Sequence, residues 1–141
     1  MTINAIQDEL IEDFSFYQDW MEKYELIIQL GKELPLIDES NRQDQYIIKG
    51  CQSKVWLVPE LKDDGKLYFT ADSDAVITKG LVSLMVKVLS GHSPKEIADA
   101  DLYFIDQIGL KEHLSPTRAN GLLSMVKQMK LYGLALQSKA S

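Results

Sequence analysis

The chain has 141 residues, 45% hydrophobic and 26% charged, with a net charge of −6. That composition suits one globular domain, residues 1–141, large enough to bury a core without disulfide or metal staples. The acidic balance disfavours nonspecific nucleic-acid binding, which needs a basic surface, and the single cysteine excludes an intramolecular disulfide.

The opening MTINAIQDELIEDF lacks a basic region followed by an apolar run, so it does not read as a secretory signal. The longest apolar stretch, Ala75 to Leu89, is interrupted by Lys79, Gly80, Ser83 and Lys87, so no membrane span is expected. A lone thiol persists most safely in a reducing compartment, and a cytoplasmic location is the expectation.

Along the chain, Ile6, Leu10, Ile11 and Phe14 recur at helical spacing. Trp20, Tyr24, Ile27 and Ile28 do so again between Asp19 and Gly31, with Gly31 expected as the C-cap and Pro35 beyond it. These two segments read as an antiparallel helical pair. The middle is rich in β-branched and aromatic residues at 45–48, 54–58 and 66–71, with a turn signal at Asp63-Asp64-Gly65. Two or three mostly antiparallel strands are expected, with Val55 and Leu57 on one face and Trp56 and Val58 on the other. Asp72, Ser73 or Asp74 is expected to cap a central buried helix that runs to about Leu89 and is closed by Gly91. Ser93-Pro94-Lys95-Glu96 fits a capping box, and a further helix is expected near Leu102–Ile108. Ser115-Pro116 opens the last helix, whose buried face is expected to hold Leu122, Val126, Met129 and Leu136. The order predicts an α+β domain, a small mostly antiparallel sheet packed against helices.

The chemically informative stretch is Lys49-Gly50-Cys51-Gln52-Ser53-Lys54-Val55-Trp56. Gly50 permits backbone angles that other residues resist, which places Cys51 on a loop entering a strand near Lys54. The plain alternative is a small buried core cysteine. One cysteine and two histidines, His92 and His113, do not make a four-ligand zinc site or an Fe–S scaffold. A dithiol redox motif lacks its second cysteine, and no local signature supports a Cys–His hydrolase. What one thiol does alone is exchange sulfur with another molecule. Lys49 and Lys54 flank the loop, either favouring the thiolate or simply solvated.

Four blocks carry a family resemblance: WMEKYELIIQLGKELP (Trp20–Pro35), IKGCQSKVWLV (Ile48–Val58), DSDAVITKGLVSLM (Asp72–Met85) and HLSPTRANGLLSMV (His113–Val126). In order and spacing they resemble the SufE-like sulfur acceptors, which include SufE and CsdE. The resemblance implies a SufE/IscU-like fold without the cluster ligands of IscU. It implies an acceptor that takes persulfide sulfur onto Cys51 from a cysteine desulfurase, SufS-like or CsdA-like, and stimulates that enzyme. The sulfur then passes to an iron–sulfur scaffold of the SufB or SufBCD type. Pyridoxal phosphate belongs to the desulfurase, and no cofactor or metal is expected on this chain. It implies a covalent transfer partner rather than a stand-alone enzyme. Gly50, Gln52 and Ser53 match the loop motif. Asp72 and Asp74 match the acidic helix opening, with Asp74 either contacting the desulfurase or capping the helix. Arg118 matches an arginine that either forms a structural ion pair or approaches the cysteine loop. His113 is expected to be structural. Lys54 departs from the glutamine common in the family, which bears on partner preference. The competing function is a binding module that activates a desulfurase allosterically, with Cys51 incidental; a thiol hydrolase or redox enzyme is disfavoured.

Overall fold

The computed structural model describes residues 1–35 and 37–139. Its elements are helices α1 (Ile3–Ser15) and α2 (Trp20–Glu33), strands β1 (Val55–Leu61) and β2 (Leu67–Ser73), then helices α3 (Val76–Leu89), α4 (Pro94–Asp99), α5 (Phe104–Ile108), α6 (Leu110–His113) and α7 (Pro116–Leu136). The strands form an antiparallel hairpin with Val55 opposite Ser73 and Leu61 opposite Leu67. This is the expected α+β architecture.

Helix α3 is the centre, as its several apolar stripes require. Leu81, Val82, Leu84, Met85, Val88 and Leu89 are all buried, and the helix packs on α1, α2, α7 and both strands. Its boundary with α2 is unusually close. A Cβ on Gly31 would lie 2.8 Å from the Gly80 backbone nitrogen, and one on Gly80 would overlap the Ile27 carbonyl. Gly31 is therefore not the C-cap expected from sequence. It lies inside α2, and Leu34 takes the cap, its N–H donating to the Gly31 carbonyl. Glycine serves there because two backbones meet, not because the chain turns. Nor do α1 and α2 form a mutual pair. Helix α2 packs on α3, whereas α1 packs on α3 and α5. The fully buried Gln7 ties α1 to the start of α5, donating to the Asp101 carbonyl at 2.9 Å and accepting from Phe104 N–H at 3.1 Å.

The expected strand at 45–48 shrinks to one bridge, Ile47 to Trp56. Asp44–Tyr46 is wound into a 3-10 turn, and Gly50 follows with φ +96°, leaving too little extended chain for a ladder. Strand faces are as expected. Val55 and Leu57 are fully buried in the core, while Trp56 is covered from the other side by Arg42, whose guanidinium lies 5.1 Å from the ring centroid. Downstream, the Ser93–Glu96 capping box and Pro94 start α4, and Ser115 caps α7. The buried stripe of α7 is Gly121, Leu122, Met125, Met129 and Gly133. Val126 and Leu136 lie only partly buried against the core.

The tight α2–α3 crossing makes Gly80 the most sensitive small residue in the core. Gly80→Ala gains helix propensity (~1 kcal/mol) but forces two backbones apart, for a net loss of about 2 kcal/mol. Urea unfolding should read this as a lower midpoint with an unchanged m-value.

Candidate functional site

From Leu34 to Lys54 the chain crosses from α2 to β1, with no regular strand or α-helix among its described residues, and carries Cys51 near its end. Ile48 donates its N–H to the Val55 carbonyl at 2.9 Å, closing the base of the loop. The far end is clasped to the strand that precedes α3. Lys54 N–H donates to Asp74 Oδ1 at 3.0 Å, Asp74 N–H donates to the Lys54 carbonyl at 3.2 Å, and Ser73 Oγ donates to the same carbonyl at 2.8 Å. Between these ends Gly50 adopts the left-handed conformation directly against α7, where a Cβ would overlap Ser124 Oγ. The backbone angle requires glycine there, and a Cβ would in addition push the Ser124 hydroxyl aside.

This fold delivers Cys51 into a cavity of about 230 Å³. The loop contributes Cys51, Gln52 and Ser53. The uncapped first turn of α3 contributes Ala75 to Thr78, and α7 contributes Thr117, Arg118 and Gly121, with Leu81 and Met125 beneath. The Cys51 thiol is half-buried and donates to the Gly121 carbonyl at 3.5 Å. Burial pushes its pKa above the ordinary thiol value. The carbonyl acceptor acts in the same direction, because only the protonated form can donate to it. The first turns of α3 and α7 oppose this with their partial positive charge, by roughly 0.3–1 kcal/mol each, and burial prevails. Lys49 and Lys54 are both exposed and line no part of the cavity.

The acidic residues fall differently from expectation. None of Asp72, Ser73 and Asp74 caps α3, since the N-cap is Ala75 with no side-chain bond. Asp72 and Ser73 end β2, and Asp74 is the loop clasp. Asp72 is buried beneath Arg42 and Lys79, pairing with both, the latter at 3.4 Å. It thus anchors the segment leading to the loop. Arg118 is exposed at the cavity rim, and among the described residues no acidic side chain lies in salt-bridge range of it. Of the two roles weighed for it, no structural ion pair forms among the described residues, and Arg118 lines the same cavity as Cys51. His113 is structural as expected, stacked on Trp20 at 4.2 Å with Nδ1 at 2.9 Å from the Gly109 carbonyl.

Three contributors were missed in the sequence reading. Arg42 and Ser124 carry no local signal. Gly121 does carry one, since a glycine inside a helical pattern marks a close approach. Among the described residues, no group of three or more His, Cys, Asp or Glu is placed to hold a metal ion, and no helix is long and apolar enough to cross a membrane.

A half-buried thiol on a clasped loop between two helix starts defines an α+β protein built around one cysteine. The sequence matches the family described as SufE, an Fe–S metabolism associated domain, over residues 8–132. It is 42% identical over 127 residues to an uncharacterized SufE-like protein of Rhizobium meliloti (strain 1021), covering 87% of this chain and 91% of that one. A second uncharacterized SufE-like protein, from Rhizobium etli, is 42% identical over 130 residues, covering 89% and 88%. The fold is also that of a solution structure of a hypothetical protein from Thermus thermophilus. That likeness has a TM-score of 0.77 at 16% identity and covers 94% of this chain and 96% of the other. The chain belongs to the SufE family, associated with Fe–S metabolism.

Alkylation of Cys51 in the isolated protein should rise with pH through a midpoint above that of free cysteine (~8.5), returning to the ordinary midpoint in urea. Mass spectrometry of the alkylated chain measures both. A native midpoint at or below the free value would mean that the helix ends outweigh burial. The same shift bears on stability. Between the two midpoints the folded state holds more protons than the unfolded one. The contribution is therefore complete below about pH 8.5 and is lost as pH rises through the folded midpoint.

Proposed function

We propose that this chain is a sulfur carrier, a single SufE-like domain working in the cytoplasm. It accepts a sulfane sulfur on Cys51 from a pyridoxal-phosphate cysteine desulfurase, SufS-like or CsdA-like, and passes it to an iron–sulfur scaffold of the SufB or SufBCD type. The observation that carries this reading is the seat of the lone thiol. Cys51 is the only cysteine of the chain, held on a loop clasped at both ends and lodged in a cavity between the starts of α3 and α7. Membership of the SufE family supports it.

The transfer is two balanced exchanges. The Cys51 thiolate attacks the terminal sulfur of the donor persulfide. A bond forms between Cys51 Sγ and that sulfur, the donor's own S–S bond breaks, and the donor leaves as a thiolate that takes up the proton Cys51 gave. A recipient thiolate then attacks the same terminal sulfur and releases Cys51. No net oxidation occurs and no cofactor on this chain is needed. The raised pKa keeps the resting thiol protonated and poorly nucleophilic. Desulfurase docking therefore has to loosen the loop, whose exit is held by the clasp between Lys54 and Asp74. Gly50 turns the loop, Gln52 and Ser53 line the cavity beside Cys51, and Arg118 at the rim meets the negative charge of an incoming persulfide.

Cys51→Ser tests the reading. The position is in a loop, so the variant should fold with a near-wild-type unfolding midpoint and still bind the desulfurase. With desulfurase and L-cysteine it should gain no sulfur (~32 Da) and should not accelerate turnover, because serine cannot hold a transferable persulfide. Full stimulation by folded Cys51→Ser would instead make the protein a non-covalent allosteric activator.

Asp74 separates loop clasping from partner contact. Asp74→Asn keeps a carbonyl to accept from Lys54 N–H while removing the charge, so folding should be unaffected. If the exposed carboxylate also meets a basic desulfurase surface, affinity should change more at low salt than at high salt. Wild-type affinity at every salt concentration would remove Asp74 from the partner surface.

A further inference from the structure

Helix α7 holds two buried glycines, Gly121 and Gly133. Each costs the helix roughly 1 kcal/mol relative to alanine, so each needs a reason. For Gly133 the reason is helix packing: a Cβ would come within 2.7 Å of the Pro94 carbonyl oxygen and 3.1 Å of Ala98 nitrogen, both backbone atoms of α4. Gly121 meets no crossing backbone of that kind. The nearest atoms to a Cβ there all belong to Cys51: Sγ at 3.5 Å, Cα at 3.8 Å and Cβ at 3.9 Å. These are ordinary contact distances. An alanine would stand in ordinary contact with the resting thiol and strengthen the helix. The unloaded protein therefore gives no steric reason for glycine at this position.

The loaded form does. We propose that Gly121 is a specificity-determining residue of the transfer site, its missing side chain reserving the room beside Cys51 that the terminal sulfur of a persulfide occupies. This rests on the sulfur-carrier reading. A persulfide extends the cysteine by one S–S bond, ~2.05 Å long. A terminal sulfur aimed straight at that position would still meet the Gly121 Cα, at most about 3.0 Å away, so it passes obliquely into the cavity, through a space that a methyl group 3.5 Å from Sγ would narrow. Without the methyl group, that space is continuous with the cavity floored by Leu81 and Met125. The second sulfur is then held inside, away from solvent thiols, with the loop still clasped.

The test compares wild type with Gly121→Ala and Gly121→Val. Each is loaded chemically with inorganic polysulfide, in which Cys51 thiolate takes one sulfur and the polysulfide is shortened by one. The loaded mass is followed by intact-protein mass spectrometry while dithiothreitol strips it. The alanine variant should unfold at the wild-type midpoint or above, and its resting thiol should alkylate at the wild-type rate. Its persulfide should be stripped about tenfold faster, the equivalent of roughly 1.4 kcal/mol, and that of the valine variant faster still. Equal persulfide lifetimes in wild type and Gly121→Ala would overturn the inference. So would a parallel rise in alkylation of the unloaded thiol, because Gly121 would then merely seat the loop. Loading by desulfurase and L-cysteine, run alongside on wild type, judges the carrier reading separately: a wild type that holds polysulfide sulfur but takes none from the desulfurase fails that reading alone.

Discussion

The loop bearing Cys51 is fixed by backbone hydrogen bonds at its two ends and by a glycine pressed on a helix at its middle, and the site depends on that pinning. The Ile48–Val55 bond makes the loop an extension of β1, and the Lys54–Asp74 pair ties its exit to the end of β2. Gly50 then lies against Ser124 of α7. Three separate parts of the chain thereby converge on one sulfur atom. Because two of the three anchors are main-chain bonds, the position of the thiol depends little on the identity of its polar neighbours.

Behind the loop, the long connection from α2 is held by charge. Buried Asp72 accepts from Arg42 and pairs with Lys79, while the Arg42 guanidinium covers Trp56. A buried carboxylate is tolerable only when paired and hydrogen-bonded. Asp72 meets that condition with two cations and the Ser73 N–H at 2.8 Å. The arrangement binds the connection to the sheet, so the arm that leads to Cys51 is anchored at its base before the loop begins.

The chemistry follows from a compromise between protection and reactivity. Half-burial and a carbonyl acceptor keep the thiol neutral and shield it from oxidants. The same features leave the resting thiol a weak nucleophile. Two helix starts and Arg118, which has no acidic partner among the described residues, give the cavity a positive bias.

Residue order alone determined the helices of strong 3.6 period, the hairpin around Asp63-Asp64-Gly65, the helix starts at Ser93 and Ser115 and the loop position of Cys51 beside Gly50. Each is a local property, set by spacing or by backbone angles within a few residues. Local signals failed wherever a distant partner supplied the reason. Gly31 reads as a helix end but is a crossing point with Gly80, and Asp74 reads as a helix cap but clasps Lys54. Arg42 carries no motif, yet it completes the charge of Asp72 thirty positions away. The run at 45–48 has strand composition but lacks the length to pair beyond Ile47. What only the tertiary structure decided is the wall of the thiol's cavity, where Gly121 stands 70 positions from Cys51. Spacing along a chain fixes which face a residue takes on its own element, but only the packing of elements decides what that face meets.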